Sequence, residues 1–124
     1  LARSSGAVFH SVLLAAEISG VFQFNWVLQR VSAQFRDQPA LREAIEARLL
    51  EVIVDEIGHI AFNRLVVSSR GLAASRGLAA QVANAGPLMT PELGALGFKD
   101  ALQSFARFDL SALPAEARRR AFFV

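Results

Sequence analysis

Cysteine is absent from the 124 residues, and with it go disulfides, thiolate metal sites and cysteine nucleophiles. Tyrosine is absent as well, while phenylalanine occurs ten times and tryptophan once, so the aromatic side chains read as packing. Uninterrupted apolar length is also lacking. The longest uncharged runs, 4–16, 18–29 and 77–91, each fall short of the ~18 residues that a spanning helix needs, and the last is broken by glycine and proline. No membrane span is expected. Val12 to Ala16 has the apolar character of a signal peptide, but His10 and Glu17 flank it, which makes it part of a mature helix. A strong charge of either sign is missing too: 13 basic residues against 11 acidic leave +2. The only dense basic cluster, Arg118-Arg119-Arg120, reads as a solvated helix end, so no nucleic-acid partner is expected. Hydrophobic residues reach 53%, which excludes intrinsic disorder, and the length suits one domain. The expected location is cytoplasmic.

What is present is helical periodicity. His10, Leu14, Glu17, Val21, Phe24, Leu28, Val31 and Phe35 recur with gaps of 4, 3, 4, 3, 4, 3 and 4, one unbroken stripe on a helix. Asp37-Gln38-Pro39 then restarts a helix, since a proline at the first helical position lacks only an N–H that would be unpaired there. Ile45, Leu49, Val52, Glu56, His59, Asn63 and Val66 form a second stripe, expected to be the buried face. So short a turn makes the two helices antiparallel, and neither buries its stripe alone. A four-helix bundle is the natural solution. The expected fold is therefore all-α and a single domain, with a long antiparallel hairpin over 1–69 and a connector with an irregular helical extension over 70–124. The tandem SRGLAA repeat at 69–74 and 75–80 is too brief for a solenoid and reads as the connector. Gly86-Pro87 and Thr90-Pro91 read as loop. Phe98 to Phe108 reads as a short helix, and another runs from Leu113-Pro114 to Phe122-Phe123.

Chemistry enters where polar residues interrupt the stripes: His10 and Glu17 on the first, Glu56, His59 and Asn63 on the second. An ionised carboxylate in a bundle core costs several kcal/mol unless a partner offsets it. Glu56 and His59 are spaced i, i+3, so both side chains project over adjacent turns and one helix can chelate one ion. Glu17 lies 20 residues before Asp37 and Glu56 lies 19 after it, so in an antiparallel hairpin they share a height to within about 2 Å. His10 lies two turns from Glu17, about 10 Å along the axis, placed to line a channel or a second shell but too far for the same ion. Other chemistries have no frame. Arg70-Gly71 and Arg76-Gly77 lack the strand and lysine of a phosphate loop, and Asp55 stands where a His-Glu-x-x-His zinc site needs its first histidine.

A glutamate on one helix, followed about forty residues later by Asp55-Glu56-Ile57-Gly58-His59, resembles half of the ferritin-like non-haem diiron carboxylate site in its oxygenase-type Asp-Glu-x-x-His form. The resemblance covers about residues 8–68. It implies Glu17 as a terminal or bridging carboxylate, Glu56 as the bridging one and His59 as the nitrogen ligand. Asp55 becomes the outer hydrogen-bond partner that orients a ligand histidine. The implied cofactor is a pair of irons, with manganese the alternative, and no catalytic residue beyond the ligands. The implied activity is an O₂-dependent oxidoreductase acting on a small organic substrate. Residues 70–124 hold no histidine and no second Glu-x-x-His. The other half of the site is thus expected from the partner chain of a homodimer or larger homo-oligomer, or from sequence outside these residues, an origin that the opening on Leu1 leaves open. Two readings from other classes stay open. One is a metal-free helical interaction module in which Glu17, Glu56 and His59 form a buried network that fixes register. The other is a binder of an anionic ligand or nucleic acid through its arginines.

Overall fold

The computed structural model describes residues 2–121, with side chains from residue 6 onward. Phe122 and Phe123, expected to end the last helix, lie outside the described residues. Three long helices, α1 (Ala2–Gln34), α2 (Pro39–Val66) and α3 (Ser69–Met89), precede three short ones, α4 (Pro91–Ala95), α5 (Phe98–Ala101) and α6 (Ala115–Arg120). Two 3-10 turns, Leu102–Arg107 and Leu110–Ala112, lie between α5 and α6. The fold is all-α, and no strand occurs among the described residues.

The turn between α1 and α2 is closed by the Gln38 N–H donating to the Phe35 carbonyl at 3.1 Å. Pro39 stands at the start of α2, and the first ladder bond runs from the Arg42 N–H to the Gln38 carbonyl at 2.9 Å. Cross-helix contacts give the direction: Ser32 Oγ donates to Glu46 Oε1 at 2.6 Å near the turn, and His10 meets Asn63 at the far end. The two helices are antiparallel. Ser68 caps α3 by accepting from the Gly71 N–H at 3.2 Å. Ser75 Oγ lies 2.9 Å from the Ser11 carbonyl, while Gly86 lies beside Gln23 further along, so α3 runs parallel to α1. Helix α1 is thus the centre of the fold, with α2 on one side and α3 on another. Over Gly6–Gln34 it also meets the length and apolar composition of a membrane span. Its mid-length carboxylate, Glu17, faces groups of α2.

The stripe of α1 behaves as its spacing suggests, with Leu14, Val21 and Val31 buried. The stripe of α2 does not. Its buried line is Ile53, Ile57, Ile60 and Asn63, whereas Val52, His59 and Val66 are exposed. From Ile53 to Ile60 the real core line is displaced by one residue, about 100° around the helix, and it rejoins the expected stripe at Asn63. The cause is α6 and the residues that flank it: Leu113, Ala117 and Ala121 join Leu14, Val21 and the three isoleucines in one cluster, so α2 turns its strongest apolar line toward them. Glu56 and His59 are left on the flank of the contact with α1.

The expected connector and loop also differ. The SRGLAA repeats form the first half of α3, which continues through Pro87 to Met89. A six-residue period turns through about 240° on an α-helix, so equivalent residues of the two copies cannot share a face. Ser75 and Ala79 are buried while Ser69 and Ala73 are exposed. Pro87 in the last turn removes only its own ladder bond, and its ring is buried. The buried face of α3 is Ser75, Ala79, Ala83 and Pro87, a ridge with spacing four that packs small residues against α1. The approach is tightest at Gly71, where an added Cβ would stand 2.6 Å from Val67 Cγ1 and 2.9 Å from Ser11 Oγ. Gly71→Ala is expected to lower stability, because overpacking of about 1–3 kcal/mol exceeds the ~1 kcal/mol of helix propensity gained. Gly77→Ala, whose Cβ would meet nothing within 4 Å, should raise it by about 0.5–1 kcal/mol. Urea midpoints of the two variants check the opposite signs.

A second cluster holds the C-terminal segment on the far half of α1. Phe22 meets Phe105 and Phe108 edge-on at centroid distances of 5.0 and 5.1 Å, and Trp26 meets Phe98 at 5.1 Å. Leu93 completes it.

Candidate metal centre

Glu17 sits midway along α1, and Glu56 and His59 sit on adjacent turns of α2. The antiparallel register brings one ligand atom of each within 4.8 Å of the others. His59 Nδ1 lies 3.6 Å from Glu17 Oε2 and 4.0 Å from Glu56 Oε2, too long for direct hydrogen bonds. The two carboxylates are largely enclosed, with side chains 20% and 19% exposed, while the imidazole is 59% exposed. The cluster is therefore lined on one side and open on the other.

Glu56 Oε2 is buried and has no hydrogen-bond partner among the described residues. Burial pushes the Glu56 carboxyl up to about 8, helped by a hydrogen bond and charge repulsion from Glu17 and by the charge of Asp55. These observations are two sides of one condition. A carboxyl–carboxyl hydrogen bond exists only while one partner holds a proton, and an ionised Glu56 leaves Oε2 facing no donor. An oxygen in that position is stabilised by a proton or by a cation. Gly20, one turn after Glu17, keeps room at this point: a Cβ there would stand 4.0 Å from Glu56 Oε2 and 3.9 Å from Phe24 Cε2. Gly20 carried no signal in the sequence beyond its spacing from Glu17.

His10 joins the site indirectly. Its Nδ1 lies 2.9 Å from Asn63 Oδ1, and Asn63 Nδ2 donates to the His59 carbonyl at 3.0 Å. Since the amide nitrogen is committed to that carbonyl, Oδ1 accepts and His10 carries its proton on Nδ1. The ring is held between the edges of Phe9 and Phe62. His10 thus braces α2 at His59 and does not reach Glu17. Asp55 is exposed and makes no hydrogen bond or ion pair with a described residue; it acts on Glu56 through its charge.

Two carboxylates and one imidazole, with no sulfur donor, are a donor set for a hard or borderline divalent cation. The open side of the cluster carries apolar side chains. On α2, Val52, Phe62 and Val66 bracket Glu56 and His59 and are exposed, and Phe9 of α1 is exposed beside His10. Compared with protein-family models, curated proteins and solved structures, the chain matches none.

Proposed function

We propose that Glu17, Glu56 and His59 form half of a ferritin-like diiron carboxylate centre and that the chain acts as an O₂-dependent oxidoreductase on a small organic substrate. The observation that carries this reading is the buried, donorless Glu56 Oε2 inside a three-ligand group. Once Glu56 ionises, that oxygen faces no donor among the described residues, and a cation would take the place of its proton. Glu17 and Glu56 would hold the cation from α1 and α2, and His59 would supply its nitrogen. Asn63 and His10 would keep the turn that bears His59 in place. Iron, when bound, supplies the electrons for reducing O₂; manganese suits the same donors. A second helix pair, from another copy of the chain or from sequence outside these residues, would cover the exposed Val52, Phe62 and Val66 and complete the ligand set.

Elemental analysis after anaerobic ferrous loading tests the reading. About one iron or manganese per chain is expected in the dimer, lost in Glu56→Ala and in His59→Ala. A folded protein that stays free of metal would overturn it. The exposed apolar residues around the cluster favour a second reading, a metal-free interaction module. In that case Glu56→Leu would leave the oligomer intact, and neither form would bind metal.

A further inference from the structure

A separate cavity of about 590 Å³ lies between α2, α3 and the first 3-10 turn, with Ile18 of α1 in its floor. None of its lining residues belongs to the carboxylate cluster. The floor is apolar, built from Ile18, Ile60, Leu72 and Phe105. Its basic residues come from three elements: Arg64 from α2, Arg76 from α3 and Arg107 from the 3-10 turn. Three elements thus bring three guanidinium groups to one opening. Three arginines elsewhere have carboxylate partners: Arg42 pairs with Glu46, Arg48 with Glu51 and Arg119 with Glu116. Among the described residues no carboxylate lies within ion-pair distance of Arg64, Arg76 or Arg107. Asp109 lines the same cavity, but its carboxylate accepts from both the backbone N–H of Ser111, at 2.7 Å, and the Ser111 hydroxyl.

Three guanidinium charges against the one carboxylate of Asp109 leave the lining with an excess of two positive charges over an apolar floor, and an anion relieves the repulsion among the arginines. A planar guanidinium matches a carboxylate through two parallel hydrogen bonds. The volume falls within the ~300–1,000 Å³ range of small-molecule pockets. Gly77 lines the cavity, and a Cβ there would meet nothing within 4 Å, so the glycine leaves the space open. We propose that this cavity binds an organic carboxylate with an apolar body, the carboxylate held by Arg64, Arg76 and Arg107 and the body laid on the Ile18–Ile60–Leu72–Phe105 floor.

Titration calorimetry of the full chain with dodecanoate, dodecanol, acetate and inorganic phosphate tests this. Saturable one-to-one binding of dodecanoate is expected, with dodecanol at least about tenfold weaker and no binding of acetate or phosphate at the same concentrations. The Arg64→Gln/Arg107→Gln double variant should lose at least about tenfold in dodecanoate affinity. Gly77→Leu keeps every arginine, favours the helix and fills the cavity, and it should abolish binding. It decides the matter even where removing two guanidinium groups disturbs folding. Equal affinity for dodecanol, unchanged affinity in Gly77→Leu, binding of phosphate as tight as that of dodecanoate, or no dodecanoate binding would each overturn the proposal.

Discussion

Metal-free protein carrying Glu56→Gln is expected to be more stable than the parent at pH 8.5 and to bind no metal at any pH. The folded-state pKa of Glu56, about 8, lies above its ordinary 4.5, so the folded chain keeps a proton that the unfolded chain releases between those values. The contribution of the protonated Glu56 is therefore complete below about pH 4.5 and lost as pH rises through about 8. The side chain is partly solvated, which reduces the full linkage energy to about 1–2 kcal/mol. Glutamine stays neutral throughout and offers Glu17 an N–H donor in place of the acid proton. Urea unfolding in the presence of chelator, run from pH 5 to pH 8.5, should show the two proteins close together at the acid end and diverging upward. A gap that does not change with pH would place the effect in packing and not in titration. Metal affinity of the parent should move the opposite way, since a cation at Glu56 must expel that proton. It should rise by up to about tenfold per pH unit from pH 6 to 8 and level off above. A substitution that raises stability while removing binding marks a side chain kept for its ligand chemistry.

The convergence of Glu17, Glu56 and His59 was legible because it depends on quantities a sequence carries: one short turn, a proline that starts the second helix, and a fixed rise per residue. The rotation of α2 was not. Val52, Glu56 and His59 and the neighbouring Ile53, Ile57 and Ile60 both have gaps of 4 and 3, so periodicity alone cannot choose between them. The choice is made by α6, which lies more than fifty residues away in the chain and packs on the isoleucines. Helix α3 was hidden for a different reason. Ser75, Ala79 and Ala83 are buried by close approach of backbones, and such residues give little apolar signal. The arginine-lined cavity has no local signature at all, because Arg64, Arg76 and Arg107 come from three separate elements.

Phe98→Ala is expected to cause the largest loss of stability, about 3–5 kcal/mol. Domains of this size are stable by only about 5–15 kcal/mol, so the change removes about a fifth of the total or more. Phe98 is fully buried, with ring centroids 5.9 Å from Phe22 and 5.1 Å from Trp26. It also lies against α3, where its Cε1 would be 3.6 Å from a Cβ on Gly86. One ring therefore joins α1, α3 and the C-terminal segment. Gly97 sets its direction with a φ of +88°, a conformation that a side chain at this position would strain. Trp26 is the only tryptophan, so its emission reports this contact directly and should shift to the red as the pocket opens. Phe98→Leu keeps much of the buried volume and should cost about 1–2 kcal/mol. Fluorescence and circular dichroism are expected to lose signal at the same urea concentration in both variants. The segment from Phe98 onward does not merely strap the helices together: Leu113 and Ala117 sit in the same cluster as Leu14, Ile53 and Ile57. Releasing the segment therefore uncovers the α1–α2 core itself. A fluorescence transition that clearly precedes the loss of helicity would instead mean that the α1–α2 pair is stable alone. Metal affinity in Phe98→Leu should match the parent, because the carboxylate cluster touches neither this ring nor its neighbours.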